Sequence, residues 1–105
     1  MEMFDKKLIS IIVERVYRDQ VVRLIEDSGA SGFTEYTEIS GKGRHGIRSD
    51  HGGLGGISGN LEIVSITGPE VAERILQGLS TMLDRGVVMV VYVADVKVIR
   101  NKHFD

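Results

Sequence analysis

Glycine distribution constrains this chain more than any other feature. Eight of its thirteen glycines (Gly41, Gly43, Gly46, Gly52, Gly53, Gly55, Gly56 and Gly59) fall within one stretch that cuts the 105 residues into two comparable halves. A stretch so rich in residues that lose maximal backbone freedom on ordering cannot continue a helix or a central strand. Whatever folds must fold on either side of it, and each side reads as a strand, a helix and a further strand. In the first half, Lys7–Val13 is a β-branched run that predicts a strand. Asp19 is placed to cap a helix carrying Val21, Leu24 and Ile25 on one face, and Gly29 suits its C-terminal stop. Phe33–Ser40 predicts a second strand, although its apolar residues fall every third position rather than alternating. In the second half Leu61–Ile66 predicts a strand, and Thr67-Gly68-Pro69-Glu70 a helix start with capping-box spacing and proline in the first turn. Val71, Ile75, Leu76, Leu79, Met82 and Leu83 follow at helical spacing, and Arg85-Gly86 closes the helix. Val87–Val93 is the last predicted strand, ahead of a polar tail, Asp95–Asp105, with a brief strand-like piece at Val96–Ile99.

This order predicts an α+β, ferredoxin-like βαββαβ fold: one domain, residues 1–105, with two helices on one face of a four-stranded antiparallel sheet and a long glycine-rich loop, about 41–59, between its second and third strands. Strands on a sheet covered on one face should alternate apolar with polar. The first and last predicted strands are instead apolar at nearly every residue, which implies an oligomer packed through its sheets.

Composition narrows the function. A 42% hydrophobic and 27% charged chain is globular rather than disordered. Thirteen basic against fifteen acidic residues give a net charge of −2, arguing against a nucleic-acid binder. The absence of cysteine removes disulfides and thiolate chemistry and suits a reducing compartment. The longest apolar stretch, Val87–Ala94, is far below the roughly 20 residues of a membrane helix. With no leader pattern visible, the expectation is a cytoplasmic protein without direct membrane insertion.

The loop opens with Gly41-Lys42-Gly43-Arg44-His45-Gly46, followed by Ile47-Arg48-Ser49-Asp50-His51-Gly52. Bare glycine backbone can present N–H groups to an anion, with lysine and arginine supplying charge. A phosphate or carboxylate ligand is one reading; a solvated hairpin loop is the other. Neither a P-loop nor a dinucleotide fingerprint is present.

Asp27-Ser28-Gly29-Ala30-Ser31-Gly32-Phe33-Thr34, leading into Glu38-Ile39-Ser40-Gly41-Lys42-Gly43-Arg44, resembles the PII signal-transduction family, whose members carry a flexible "T-loop" at this place. Leu61-Glu62-Ile63-Val64 resembles the strand beyond the loop, and Val98-Ile99-Arg100 the family's closing Arg-Ile-Arg, so the likeness runs from residue 6 to about 100. The resemblance implies a homotrimer that binds adenine nucleotide between subunits, with the loop docking on a membrane transporter or an enzyme. It implies that Ile11, Thr34, Gly41, Gly43 and Val64 line adenine and ribose, and that Glu62 is the acidic residue beside them. Lys42, Arg44, His45 and Gly46 would stand at the loop base, with Asp84, Arg85, Gly86 and Arg100 contributed by the neighbouring subunit. Lys97 or Lys102 would substitute for the family arginine replaced by Val98.

Departures from the pattern shape the expected ligands. No tyrosine lies in the loop, so tyrosine uridylylation does not apply, and His45 stands where glutamine is usual in 2-oxoglutarate sensing. The family's Gly-Asp-Gly-Lys is shortened to Asp84-Arg85-Gly86, leaving fewer cations for distal phosphates. ADP or AMP is therefore expected over ATP. The chain is similar to PII-like branches that accompany bicarbonate transport and carboxysomes, which implies bicarbonate as a second ligand and a bicarbonate transporter as a partner. No metal and no catalytic residue are expected. An amino-acid-binding regulatory module and an acylphosphatase-like enzyme built around Arg15 and Arg18 share this fold and are the alternatives. An RNA-recognition module is rejected because Leu8–Val13 and Leu61–Ile66 lack aromatics for stacking.

Overall fold

A computed structural model describes residues 1–43, 46–48 and 59–104, with backbone alone between 41 and 48. Its main sheet is four-stranded and antiparallel, in the order β2-β5-β1-β6. The strands are β1 (Phe4–Glu14), β2 (Thr34–Ile39), β5 (Asn60–Thr67) and β6 (Met89–Val98). A separate two-stranded ribbon pairs β3 (Gly41–Gly43) with β4 (Gly46–Arg48). Helices α1 (Arg18–Asp27) and α2 (Pro69–Asp84) lie on one face, giving the expected ferredoxin-like arrangement.

β1 is the spine, pairing with β5 from Lys7↔Thr67 to Glu14↔Asn60 and with β6 from Phe4↔Val98 to Val13↔Met89. Its odd-numbered residues Ile9, Ile11 and Val13 point under the helices and are completely buried, as is Ile63 across the ladder. From the helices Val21, Ile25, Ile75 and Leu79 close the core. Each such side chain contributes on the order of 1.5–3 kcal/mol. The helices meet where α2 carries Gly78: a Cβ there would stand 2.3 Å from Leu24 Cδ1, so glycine is what lets α1 approach.

Several expectations need correction. Asp19 does not cap α1. Tyr17 is the N-cap residue and makes no side-chain cap bond, while Asp19 lies in the first turn and accepts from Arg18 at 3.0 Å. The sequence misleads here because a short 3-10 turn, Arg15–Tyr17, moves the helix start upstream without a clear local signal. The Thr67/Glu70 capping box does not form either: Gly68 is the N-cap, and the Thr67 hydroxyl, fully buried, donates to the Gly68 carbonyl. Proline does occupy the first turn of α2, and Gly29 and Gly86 (φ +102° and +96°) stop the two helices in left-handed geometry. Leu83, at the end of the apolar α2 stripe, is 44% exposed.

The last strand begins later and runs further than its sequence suggests. Val87 and Val88 precede it, and Asp95–Val98, expected in the polar tail, belong to one continuous β6. Charge hides them: Lys7–Asp95 (2.5 Å) and Asp5–Lys97 (2.6 Å) are directly opposed cross-strand ion pairs, so a polar segment still extends the ladder. Lys97 is accordingly engaged with Asp5, whose carboxyl it holds below the ordinary value of 3.8, mainly through that hydrogen bond. The irregular period of β2 also has a cause. Its register against β5 shifts between Thr37 and Ile39, and Glu38 adopts a left-handed φ of 57° within a bulge.

Candidate functional site

The antiparallel register sorts the candidate residues between the two ends of the sheet. At one end, where Val13 faces both Leu61 and Met89, the glycine-rich segment leaves β2 and returns to β5. Its exits are held together by the Ile39↔Asn60 pair, and its returning end is tied to the turn after β1 by the Arg15 amide donating to the Gly59 carbonyl at 2.7 Å. Beyond them Gly41, Lys42 and Gly43 pair with Arg48, Ile47 and Gly46, so the residues expected at the loop base form a narrow ribbon whose backbone is bare at three of six positions. Arg44 and His45 lie outside the described residues. The turn joining α2 to β6 reaches the same end. Asp84 ends the helix, Arg85 caps it with its amide directed at the Thr81 and Met82 carbonyls, and Gly86 reverses the chain.

Glu62 and Val64 stand midway along the sheet, on the face away from the helices. Glu62 is not a solitary solvated carboxylate. Its Oε2 accepts from the completely buried Ser10 hydroxyl at 2.5 Å and from the Tyr92 hydroxyl at 3.3 Å, so three strands fix it. Around it Leu8, Ile12, Val64 and Ile66 are only half-buried, while Val90 and Tyr92 are exposed. This is a wide apolar face with one hydrogen-bonded acid at its centre. Ile11 does not share it. Its side chain is completely buried under the helices, between Val91 and Ile63 in the ladder, and can reach a ligand only through its backbone.

Thr34 and Val64 face each other in the ladder at the opposite end of β2. They line a cleft of about 280 Å³ with Phe33 and Ile66 and, from the end of the chain, His103 and Phe104. That terminal segment is a 3-10 turn, Lys102–Phe104, tied down by a hydrogen bond from the Ser31 hydroxyl to the His103 carbonyl. Arg100 and Lys102 flank an open depression beside it with Asn101 and His103. One chain therefore brings Thr34 and Val64 together, and separately the loop base and Asp84–Gly86, but leaves these two groups apart along its sheet.

Arg18, the arginine that an acylphosphatase-like site would draw on, is already engaged. It donates to Glu35 at 2.7 Å and to Asp19, stands 5.9 Å from the Phe33 ring centre, and is held charged beyond its ordinary range chiefly by the Glu35 bond.

Sequence patterns alone do not single out Ser10, Tyr92, Asn60 or Phe104. Ser10 and Tyr92 are single polar interruptions of otherwise apolar strands, a usable signal. Asn60, 2% exposed with its Oδ1 unpaired, and Phe104, an aromatic in a polar tail, have no local pattern to expose them. Among the described residues no group of acidic or histidine side chains is arranged to hold a metal. No helix of the described residues is long and apolar enough to cross a membrane.

No curated protein is a significant match to the chain. Solved structures are similar throughout. CPII from Thiomonas intermedia K12, bound to ADP and bicarbonate, is 26% identical and superposes with a TM-score of 0.86, covering 99% of this chain and 98% of that one. The same nitrogen regulatory PII-like protein bound to ADP, AMP and bicarbonate gives 25% identity and a TM-score of 0.84 over 94% of this chain and 92% of that one. A PII-like signaling protein from Thermus thermophilus is 27% identical, with a TM-score of 0.76 and full coverage of both chains. Proteins of this group are typically trimers, and they are signalling regulators that are generally not enzymes. The family model for nitrogen regulatory protein P-II matches residues 6–103, from within β1 through both helices and the loop to beyond β6, and the chain belongs to that family.

Proposed function

We propose that this protein is a non-enzymatic, homotrimeric regulator of the cytoplasm. It binds ADP or AMP, in preference to ATP, between subunits and answers by changing the conformation of the loop at about 41–59. The observation that carries the reading is the second sheet face. Its apolar rows are only half covered by the chain's own residues, with Glu62 fixed at their centre, so closing it takes another copy of the chain. Closure would place Glu62 and Val64 at a subunit boundary. It would also let one chain's Thr34 cleft be completed by charge from its neighbour, since the candidate residues of a single chain stand in two groups. Similarity to CPII, which binds ADP, AMP and bicarbonate, supports the choice of nucleotide and a role for bicarbonate as second ligand. The ribbon Gly41–Gly43/Gly46–Arg48 gives the loop a defined base from which ligand binding can select one conformation, and the selected conformation engages a transporter or enzyme, in inorganic-carbon metabolism on the CPII likeness.

Isothermal titration of the purified protein with ADP, with and without bicarbonate, tests this directly. Micromolar binding near one nucleotide per subunit, strengthened by bicarbonate, is the expected result. Arg44→Ala combined with Arg100→Ala should abolish that binding while leaving the circular dichroism spectrum unchanged; retained affinity would remove both arginines from the site.

A further inference from the structure

The Thr34 cleft has a wall that the family likeness does not supply. It is built by the end of the chain. The 3-10 turn Lys102–Phe104 crosses back to the β2 edge, is held there by the Ser31–His103 hydrogen bond, and sets the Phe104 ring against the cleft. His103 meets that ring edge-on, with centroids 4.7 Å apart and planes at 89°, which fixes the orientation of the Phe104 face.

The lining is unusual for a surface depression on a mainly polar tail. Phe104 supplies an aromatic wall and Val64 and Ile66 a branched aliphatic floor with Thr34 beside them; Phe33 also borders the cleft, although its ring packs against the core and under Arg18. β2 is also an edge strand, pairing with β5 alone, so alternate residues keep backbone N–H and C=O groups on its free side. A flat aromatic wall over an apolar floor, beside an unpaired backbone edge, suits a planar heteroaromatic ring, which offers a stacking face and an in-plane rim of donors and acceptors. Size agrees. Sites for whole small ligands run roughly 300–1,000 Å³, so a cleft of about 280 Å³ admits a bicyclic base and leaves a sugar and phosphates outside.

We infer that the C-terminal turn is part of the base-binding site, with the Phe104 ring stacking on the heteroaromatic base of the nucleotide and His103 and Ser31 positioning that ring. The inference rests on the proposed nucleotide binding and adds to it a stacking partner and a dependence on the chain's last turn. A plug that must leave before ligand enters would predict the opposite sign, because removing it would tighten binding. The cleft stays open with Phe104 in place, so the ring is a wall.

The test uses the full chain and two substitutions. Phe104→Ala should weaken ADP binding about tenfold in titration calorimetry, since base–aromatic stacking is typically worth about 1–3 kcal/mol per base and about 1.4 kcal/mol is tenfold. Binding of inorganic pyrophosphate, which has no base, should not change between wild type and variant. Phe104→Trp exploits a chain that has no tryptophan of its own. The introduced indole should be quenched saturably by ADP, with the same midpoint as the calorimetric curve, and should ignore pyrophosphate. If ADP binds Phe104→Ala as tightly as wild type, or leaves the indole emission unmoved at saturation, the inference is overturned and the nucleotide reading stands. Tighter binding by Phe104→Ala would overturn it in favour of the plug. Failure of wild type to bind ADP, AMP or ATP overturns the nucleotide reading, and this inference with it.

Discussion

The two faces of the sheet are made from the same strands and differ by one residue of phase. Ile11 and Ile12 are neighbours in β1, yet Ile11 is sealed under the helices and Ile12 is half-buried on the face that no helix covers. The first face is completed within the chain, by α1 and α2. The second is apolar enough to need cover and polar enough, through Ser10, Glu62 and Tyr92, to fix where a cover sits. Hydrophobicity alone would let two such faces slide over each other. A hydrogen-bonded acid in the middle penalises every arrangement that buries it without its partners. The lesson is a division of labour: one face stabilises the subunit, and the other presents an apolar surface with a fixed acid to a cover that the described residues do not supply.

Substitution of adjacent residues tests this division most strongly. Ile11→Ala should cost about 2–5 kcal/mol of unfolding free energy in urea titration, the range for truncating a buried isoleucine. Ile12→Asp should keep native far-UV circular dichroism and shift the sedimentation mass toward the single chain. Equal loss of structure in both variants would break the comparison. A smaller effect is expected of Ser10→Ala, which removes the closer of the two hydroxyls donating to Glu62. It should cost about 1 kcal/mol in chemical denaturation, with Tyr92→Phe costing less because its bond is longer and more exposed. The smallest effect belongs to the charged end of the ladder. Asp5 titrates below its ordinary 3.8 because Lys97 holds it ionised, so its pairing stabilises the protein above that value and the contribution is lost as pH falls through it. Both groups are exposed, so Asp5→Asn should lower the low-salt melting temperature only slightly near neutrality, and the difference from wild type should vanish as pH falls below about 4.

Much of this architecture is legible because its signals are local. Glycine clustering marks the loop, β-branched runs the central strands, and Gly29 and Gly86 the helix ends. Strands that fail to alternate disclose the second apolar face. What is not legible depends on partners distant in sequence. Asp95 and Lys97 look like solvated tail residues until Lys7 and Asp5 stand opposite them, and β6 is longer for that reason. Glu38 gives no sign of a bulge, since a left-handed glutamate is held by the register on either side rather than by its own preference. The site residues divide in the same way. Glu62 can be suspected from sequence, but the hydroxyls that hold it come from residues 52 and 30 positions away. Ile11 looks able to face a ligand because strand phase cannot be assigned when both faces are apolar.

The Ile39–Asn60 pair brings the two ends of the loop together whatever lies between them, and the Arg15–Gly59 hydrogen bond anchors the returning end to the body of the subunit. Closing a loop whose ends are already fixed depends only weakly on its length, about 0.6 kcal/mol for each doubling. Insertions, deletions and wholesale replacement of the intervening residues are thus nearly invisible to the stability of the sheet. Selection can rewrite the intervening segment at almost no risk to the subunit that carries it, so descendants of one scaffold can diverge widely there while their folded bodies stay alike.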